Sequence, residues 1–195
     1  MMWEENYNID HYTSGKEPNL FLKQQIGCLP QQARVLCLTT ANGYDAVHLA
    51  LAGFHVTAVD ISWMTLDATR QLAEQNELNI ELIRADLLHY PLGYEEWDAV
   101  VSLFYQPPRG AQATMCQRMM NALKPGGVLI LEGYTERHLR KLKKDIGPAL
   151  ASERLKRALP DAQFLQLEEL ERPQSEQTSQ MGTLSVVQAV AVKPK

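Results

Sequence analysis

Two aspartates stand where short apolar segments of this sequence end, and their positions suit recognition of a nucleoside. Asp60 closes one β-branched segment, and Asp86 follows the next. Asp60 lies 22 residues after Leu38, near the spacing of about 20 residues at which an acid binds ribose hydroxyls beside a ligand-binding first loop. Asp86 is placed to accept from an adenine amino group. Asp60 can instead complement the positive end of the following helix, with Ser62 as an alternative cap.

The elements that must position these acids alternate along the chain, which predicts an α/β sheet. The predicted strands are residues 34–38, 55–60, 79–84, 97–103 and 128–132, with helices at 44–52, 62–76 and 111–123 between them. Continuous apolar runs of this kind are typical of parallel strands buried on both faces. Ligands of such sheets bind at the carboxyl ends of the strands, where both acids would lie.

The last third of the chain has a different pattern. Helices are predicted at 135–145 and 152–159, followed by strands at 163–168 and 184–192. The polar segment 172–180 between the two strands predicts a turn, so the strands read as an antiparallel hairpin at the sheet edge.

The basic run 137–144 allows two interpretations. It could attract an anionic substrate, including RNA. It could equally be a solvated amphipathic helix with Leu139 and Leu142 facing inward. No aromatic residues are interleaved with the charges for base stacking, so nucleic acid is not the favoured partner.

Composition limits the class of protein. The chain has 195 residues, 45% of them apolar and 22% charged, which predicts one globular domain, and its net charge of −4 gives no general basic excess. Three cysteines without CxxC spacing suit buried free thiols in a reducing cytoplasm, and five scattered histidines predict no metal site. We see no apolar signal segment at the N-terminus and no run long enough for a membrane span, so we expect a cytoplasmic protein.

An ordered set of segments resembles the class I S-adenosylmethionine-dependent methyltransferases, and within them the small tellurite-resistance-type enzymes. The segments are 3–7, 12–19, 56–62, 85–87, 97–102, 123–127, 131–135 and 185–188, followed by 193–194. The resemblance implies a doubly wound, seven-stranded Rossmann-like sheet of order 3-2-1-4-5-7-6 with strand 7 antiparallel. It also implies a helical cap at 1–30, a cofactor-binding half at 31–133 and acceptor-side helices with a hairpin at 134–195, all in one domain.

The resemblance further implies S-adenosylmethionine as cofactor and assigns residues to it. Asp60 would bind the ribose beside Ile61, Asp86 and Leu87 would frame the adenine, and Ser102 would lie near the methyl group. The loop after the first strand would pass the methionine portion, and the residues implied there are Thr39, Ala41 and Gly43. No catalytic residue is assigned.

That loop departs from the acid-x-Gly-x-Gly-x-Gly pattern of the related enzymes. Cys37 replaces the acid that helps to hold the methionine ammonium, Thr39 and Ala41 replace two glycines, and Gly43 remains. If the glycine conformations persist, the strain is on the order of 1–3 kcal/mol per residue and weakens cofactor binding. Alternatively, Thr39 lies at negative φ and its hydroxyl replaces a backbone contact, while Asn42 and Gly43 still form a turn.

A second departure follows the fourth strand. Phe104-Tyr105-Gln106 precedes a proline pair where related enzymes often have a histidine, so no base is implied. Tyr105 and Gln106 line an acceptor pocket or simply pack in a loop. Trp63 covers the adenine or packs in the core, and Met115 and its helical neighbours are read as core.

The leading hypothesis is therefore a methyltransferase acting on an unidentified small-molecule acceptor. The alternative is a non-catalytic relative that keeps the fold as a binding or regulatory module, motivated by the altered loop. A nicotinamide-dependent oxidoreductase would use the same ribose-binding acid, but the sequence has no G-x-G-x-x-G. An RNA methyltransferase depends on the basic run alone.

Overall fold

A computed structural model describes residues 17–39, 42–142, 147–173 and 182–195. The resembling segment 3–7, most of 12–19, Ala41 and the last two lysines of the basic run lie outside these residues. In the described parts, seven strands form one sheet of order β3-β2-β1-β4-β5-β7-β6. The strands are β1 Arg34–Leu38, β2 His55–Asp60, β3 Glu81–Arg84, β4 Trp97–Leu103, β5 Leu123–Tyr134, β6 Gln163–Pro173 and β7 Thr183–Val192.

The first five strands run parallel, and β7 enters antiparallel between β5 and β6. This is the α/β methyltransferase sheet that the sequence resemblance predicts, so that prediction is confirmed. The order reverses between β1 and β4, since the chain moves from β1 to β2 and β3 on one side and from β4 to β5 on the other. A crevice for a ligand is expected at the carboxyl ends of these two strands.

Six α-helices flank the sheet in the described residues. They are α1 Leu20–Gln25, α2 Tyr44–Leu51, α3 Trp63–Gln75, α4 Gln112–Ala122, α5 Glu136–Leu142 and α6 Ser152–Ala158. Two of them begin at side-chain caps, Asn19 for α1 and Ser62 for α3. Both caps satisfy a backbone N–H that the first turn leaves without a helical partner.

Alternate residues of the central strands enter two cores on opposite faces. Leu36 and Leu38 of β1 pack in one core with Met115 of α4. Cys37 of β1 packs in the other with Phe21 of α1. This two-sided burial explains why the parallel strands read as continuous apolar runs, and it confirms the interpretation of Met115 as core.

Four local predictions differ from the structure. β6 continues to Pro173, so Arg172 lies in a strand and not in the predicted turn. On α5, His138 is the buried residue while Leu142 is 40% exposed, since the helix turns a different face inward. Cys28 is exposed, whereas all three thiols were predicted to be buried. β5 begins at Leu123, directly after α4, where a helix end and turn were predicted.

No helix in the described parts of the chain is long and apolar enough to span a bilayer.

Candidate functional site

The carboxyl edge of the sheet gathers most of the residues that the sequence analysis assigned to a ligand. Thr39 follows β1, Asp60 ends β2, Asp86 follows β3, and Ser102 is the penultimate residue of β4. Because these strands are parallel, the four positions face one edge. Ala41 was assigned to the same loop, but it lies outside the described residues.

Thr39 adopts a left-handed backbone conformation. The glycine that the related enzymes have at this position would favour the same conformation. The φ of Thr39 is +60°, so the glycine conformation persists and the alternative of a negative φ is wrong. Its N–H donates to the carbonyl of Val59 at 3.0 Å. Its hydroxyl donates to the carbonyls of Leu38 and, at 3.2 Å, Leu103. A left-handed residue with a branched side chain costs about 1–2 kcal/mol, and these bonds hold it there.

Gly43 is required by both backbone and packing. It is the N-terminal cap of α2 with a φ of +82°. A Cβ built on it would lie 2.7 Å from the Cα of Thr69 on α3. Retention of this glycine is therefore explained by the close approach of α2 and α3, whether or not a ligand lies beside it.

Asp60 lies at the end of β2, where it was predicted, and its side chain also binds the backbone at the start of α3. Its side chain is 1% exposed, and Oδ1 accepts from the N–H of Ser62 at 2.8 Å. Ser62 itself caps α3 by accepting from Thr65 at 3.3 Å. Both residues named as alternatives thus take part in the helix start. Beside them Ile61 is 37% exposed, and Trp63, at 61% exposed, does not pack in the core.

Asp86 is accessible and stays ionised. Its Oδ1 accepts from the N–H of Leu88 at 3.0 Å, and its Oδ2 lies 2.9 Å from Nδ1 of His89. The Leu88 bond and then His89 hold the pKa of Asp86 below its ordinary value. Leu87 is buried in the core, so only its backbone is placed to face a ligand.

A buried polar network at this edge is the feature that the sequence reading missed. Glu132 at the end of β5 accepts from Nε and Nη2 of Arg172, both at 2.8 Å. It also accepts from Gln188 at 2.8 Å and from Nδ2 of Asn19 at 2.6 Å. Four donors therefore surround a side chain that is 0% exposed. The apolar strand before Glu132 signalled a buried acid, but nothing in the local sequence identified its partner.

Asn19 connects this network to α2. Its backbone N–H donates to Oδ1 of Asp45 at 2.6 Å, while its side chain binds Glu132. Burial, opposed by the Asn19 bond and supported by the charge of Glu132, raises the pKa of Asp45 to about 6. Burial also raises the pKa of the Cys37 thiol, which Asp45 and Asp60 increase further, so this thiol is neutral near pH 7.

Two cavities share Leu150 as a lining residue, and the smaller one adjoins the network at Glu132. A small one of about 20 Å³ is lined by Ser102, Gln106 and Glu132 among others, with Leu150 as one wall. The buried Oε1 of Gln106 has no hydrogen-bond partner there among the described residues. Tyr105 and Gln106 thus line a cavity with room for about one water molecule, and their place in an acceptor pocket stays a prediction.

A larger cleft of about 820 Å³ lies beyond the same leucine. It is lined by side chains of α5, α6, β6 and the start of β7, including Arg137, Arg140 and Arg154. Arg137 pairs with Glu171 at 3.0 Å, and Arg140 with Glu136 at 3.4 Å. Its volume falls in the range of small-molecule pockets. In the described ranges, no group of histidine, cysteine and carboxylate side chains could hold a metal ion.

Comparison with known protein families matches the central part of the chain. Residues 35–127 match a family described as a methyltransferase domain, a range that contains the ends of β1 to β4. A 91-residue stretch is 33% identical to carboxy-S-adenosyl-L-methionine synthase of Aeromonas hydrophila, covering 43% of this chain and 34% of that protein. The chain thus spans about a third of the length of this curated relative.

Solved structures agree on the fold. TehB from Haemophilus influenzae superposes with a TM-score of 0.74 at 19% identity, over 88% of this chain and 61% of that one. A structure from work on the conversion of a disulfide bond into a thioacetal group during echinomycin biosynthesis gives 0.71 at 18%, over 91% and 83%. At such identities these likenesses show the fold alone.

Proposed function

We propose that the protein is a class I S-adenosylmethionine-dependent methyltransferase that transfers a methyl group from this cofactor to a small-molecule acceptor, a proposal supported by the match of residues 35–127 to a methyltransferase domain. The observation that carries the proposal is the placement of Asp60 and Asp86 at the ends of β2 and β3, inside the matched range. Adjacent parallel strands bring two carboxylates to one edge, and a nucleoside offers hydroxyl and amino donors to both.

The roles follow from position. Asp60 accepts from the ribose hydroxyls at the end of β2, and the exposed Ile61 lies against the adenine. Asp86 accepts from the adenine amino group, with the backbone of Leu87 beside it. The loop from Thr39 through Ala41 to Gly43 passes the methionine portion.

The backbone conformation of Thr39, which the sequence left open, fits this cofactor. The Thr39 hydroxyl is bonded to strand-end carbonyls of β1 and β4, so the side chain is fixed and its backbone keeps the glycine-like conformation. When bound, S-adenosylmethionine supplies an electrophilic methyl group on a sulfonium. The protein then needs mainly to align an acceptor with that methyl, which requires no base for a soft nucleophile.

The acceptor side begins at Ser102, which with Gln106 and Glu132 lines the small cavity. Leu150 forms a wall of this cavity and of the larger cleft, so an acceptor in the cleft would approach past it. Membership of the tellurite-resistance-type subgroup, the division at residues 30 and 133 and a cytoplasmic location remain predictions within this proposal.

Calorimetric titration with S-adenosylhomocysteine tests the proposal. We expect saturable binding that Asp60→Asn weakens by about tenfold or more, since a charge-assisted bond is lost. Asp67→Asn is the matched control, because Asp67 lies on α3, the helix that follows Asp60, and pairs with Arg70 on the surface. No heat at millimolar ligand, or equal affinity for NADH, would count against a methyltransferase.

A further inference from the structure

The methionine portion of the cofactor carries an α-ammonium, and the end of β1 has few groups that could pair with it. A cation in a partly buried site needs a nearby carboxylate to offset its lost hydration. Cys37 is neutral at this strand end, and Thr39 is uncharged. The chain must therefore place its negative charge elsewhere.

Glu132 does not meet this need, although it lies close by. Both of its oxygens accept from the guanidinium of Arg172, and Gln188 and Asn19 add one bond each. The Glu132–Arg172 pair is thus electrically balanced and fully hydrogen bonded. A ligand ammonium could engage Glu132 only by displacing one of these donors, which come from β6, from β7 and from Asn19.

Asp45 differs from Glu132 both in its charge balance and in its hydrogen bonding. It lies in the first turn of α2, directly after the loop that is expected to pass the methionine portion. Its one hydrogen-bond donor among the described residues is the neutral N–H of Asn19, and no cationic side chain of those residues pairs with it. It is close enough to Cys37 for its charge to act on the thiol.

We propose that Asp45 binds the α-ammonium of the cofactor and so supplies, from α2, the negative charge that Cys37 does not supply at the end of β1. The inference rests on the proposed function, since it concerns the same cofactor. Together Asp45, Glu132 and Arg172 carry one excess negative charge, which one ammonium neutralises. Asn19 links the carboxylates of Asp45 and Glu132, since its backbone N–H binds the first and its side-chain N–H binds the second.

A purely structural role for Asp45 is the competing explanation. In that role the carboxylate would only anchor Asn19 and the start of α1. Asp45→Asn separates the two, because the amide oxygen can still accept from the Asn19 N–H while the negative charge is lost. A structural defect would weaken every ligand of the site equally.

The experiment compares two ligands in two proteins by calorimetry. The ligands are S-adenosylhomocysteine and its analogue without the α-amino group, and the proteins are the full chain and its Asp45→Asn variant. We expect the substitution to lower the affinity for S-adenosylhomocysteine by about tenfold or more. The affinity for the analogue should change by no more than about twofold. Asp60→Asn is the contrasting variant, expected to weaken both ligands alike.

The outcomes are distinct. If the unaltered protein binds neither ligand, the proposed function fails. If it binds S-adenosylhomocysteine and Asp45→Asn weakens both ligands equally, or neither, the assignment of Asp45 is wrong while the proposed function stands. Thermal unfolding of the variant identifies a folding defect, and a correctly folded variant with unchanged selectivity also overturns the assignment.

The pH dependence of affinity gives a second readout. The charges that act on Asp45 are those of Glu132 from β5 and Arg172 from β6, and the charge of Asp45 acts in turn on the Cys37 thiol of β1. With the pKa of Asp45 at about 6, affinity for S-adenosylhomocysteine falls as the pH is lowered through that value, because the carboxylate is neutralised. The Asp45→Asn protein is expected to lack this dependence, and an identical profile in both proteins contradicts the assignment.

Discussion

The hydroxyl of Thr39 donates a hydrogen bond to the carbonyl oxygen of Leu103 at 3.2 Å and so ties the end of β1 to the end of β4. The residue after Leu103, Phe104, is also left-handed, with a φ of +57°. Its N–H donates to the carbonyl of Glu132 at 2.7 Å. Two strained residues therefore stand side by side where the sheet order reverses. Strain held by surrounding bonds is a recurrent property of functional sites.

Substitutions at Thr39 separate the energetic cost of its left-handed conformation from the contribution of its hydroxyl hydrogen bonds. Thr39→Val keeps the branched side chain at positive φ but removes the hydrogen bonds, so we expect a loss of about 1–2 kcal/mol of unfolding free energy. Thr39→Gly loses the same bonds but relieves the backbone strain, and should be less destabilised than the valine variant by about 1 kcal/mol. Urea denaturation measures both, and equal losses would show that the left-handed conformation is not strained.

Gly43 offers a test of close packing. Gly43→Ala places a Cβ at 2.7 Å from the Cα of Thr69 and forces an alanine to a φ of +82°. We expect a loss of more than about 2 kcal/mol, measured by urea denaturation. Gly53→Ala is the control, since Gly53 has a φ of +88° with open space around it. It should show the backbone strain alone, about 1 kcal/mol. Similar losses at the two positions would contradict the packing explanation.

The sequence predicted the sheet because each central strand has a pattern that its own residues determine. β1, β2 and β4 are continuous apolar runs, and the structure reproduces the predicted bounds 34–38, 55–60 and 97–103. The acids at strand ends were also placed on the correct edge, since direction follows from a parallel sheet. Local pattern therefore defined the scaffold and the edge that carries the candidate site.

The predictions that failed depend on partners distant in the sequence. Arg172 reads as a polar turn residue, whereas in the structure it lies in the edge strand β6 and binds Glu132, 40 positions away. The conformation of Thr39 is likewise fixed by Leu103 from another strand. Neither long-range contact leaves a periodic signal in one sequence.

The Glu132–Arg172 pair is expected to be important for stability. Glu132 is 0% exposed and Arg172 is 10% exposed, so Arg172→Met leaves a buried carboxylate without its cation. We expect a loss of about 3–5 kcal/mol in urea denaturation. Arg70→Met is the control, because Arg70 makes two ion pairs on the surface of α3, and the denaturation midpoint should not move.

A double variant tests whether the loss comes from an unpaired charge. Glu132→Leu together with Arg172→Met removes both charges, so it should be less destabilised than Arg172→Met alone. A double variant that is as unstable as the sum of the single ones would show instead that the loss comes from the missing hydrogen bonds and not from an unpaired charge.

Asp45 makes stability depend on pH in a defined direction. Its pKa is raised by burial from 3.8 to about 6, so the folded protein binds its proton more tightly than the unfolded chain does. Stability therefore falls as the pH rises from about 4 to about 6, by about 1–3 kcal/mol from this group. Asp86, whose pKa is lowered, acts in the opposite sense at lower pH, so the measurement must be a difference between variants.

Relative to the unaltered protein, Asp45→Asn should gain stability between pH 4.5 and pH 7 in urea denaturation, because the amide carries no buried charge at the higher pH. A difference between the two proteins that stays constant over this range would mean that Asp45 titrates near its ordinary value and bears no desolvated charge for a ligand ammonium to neutralise.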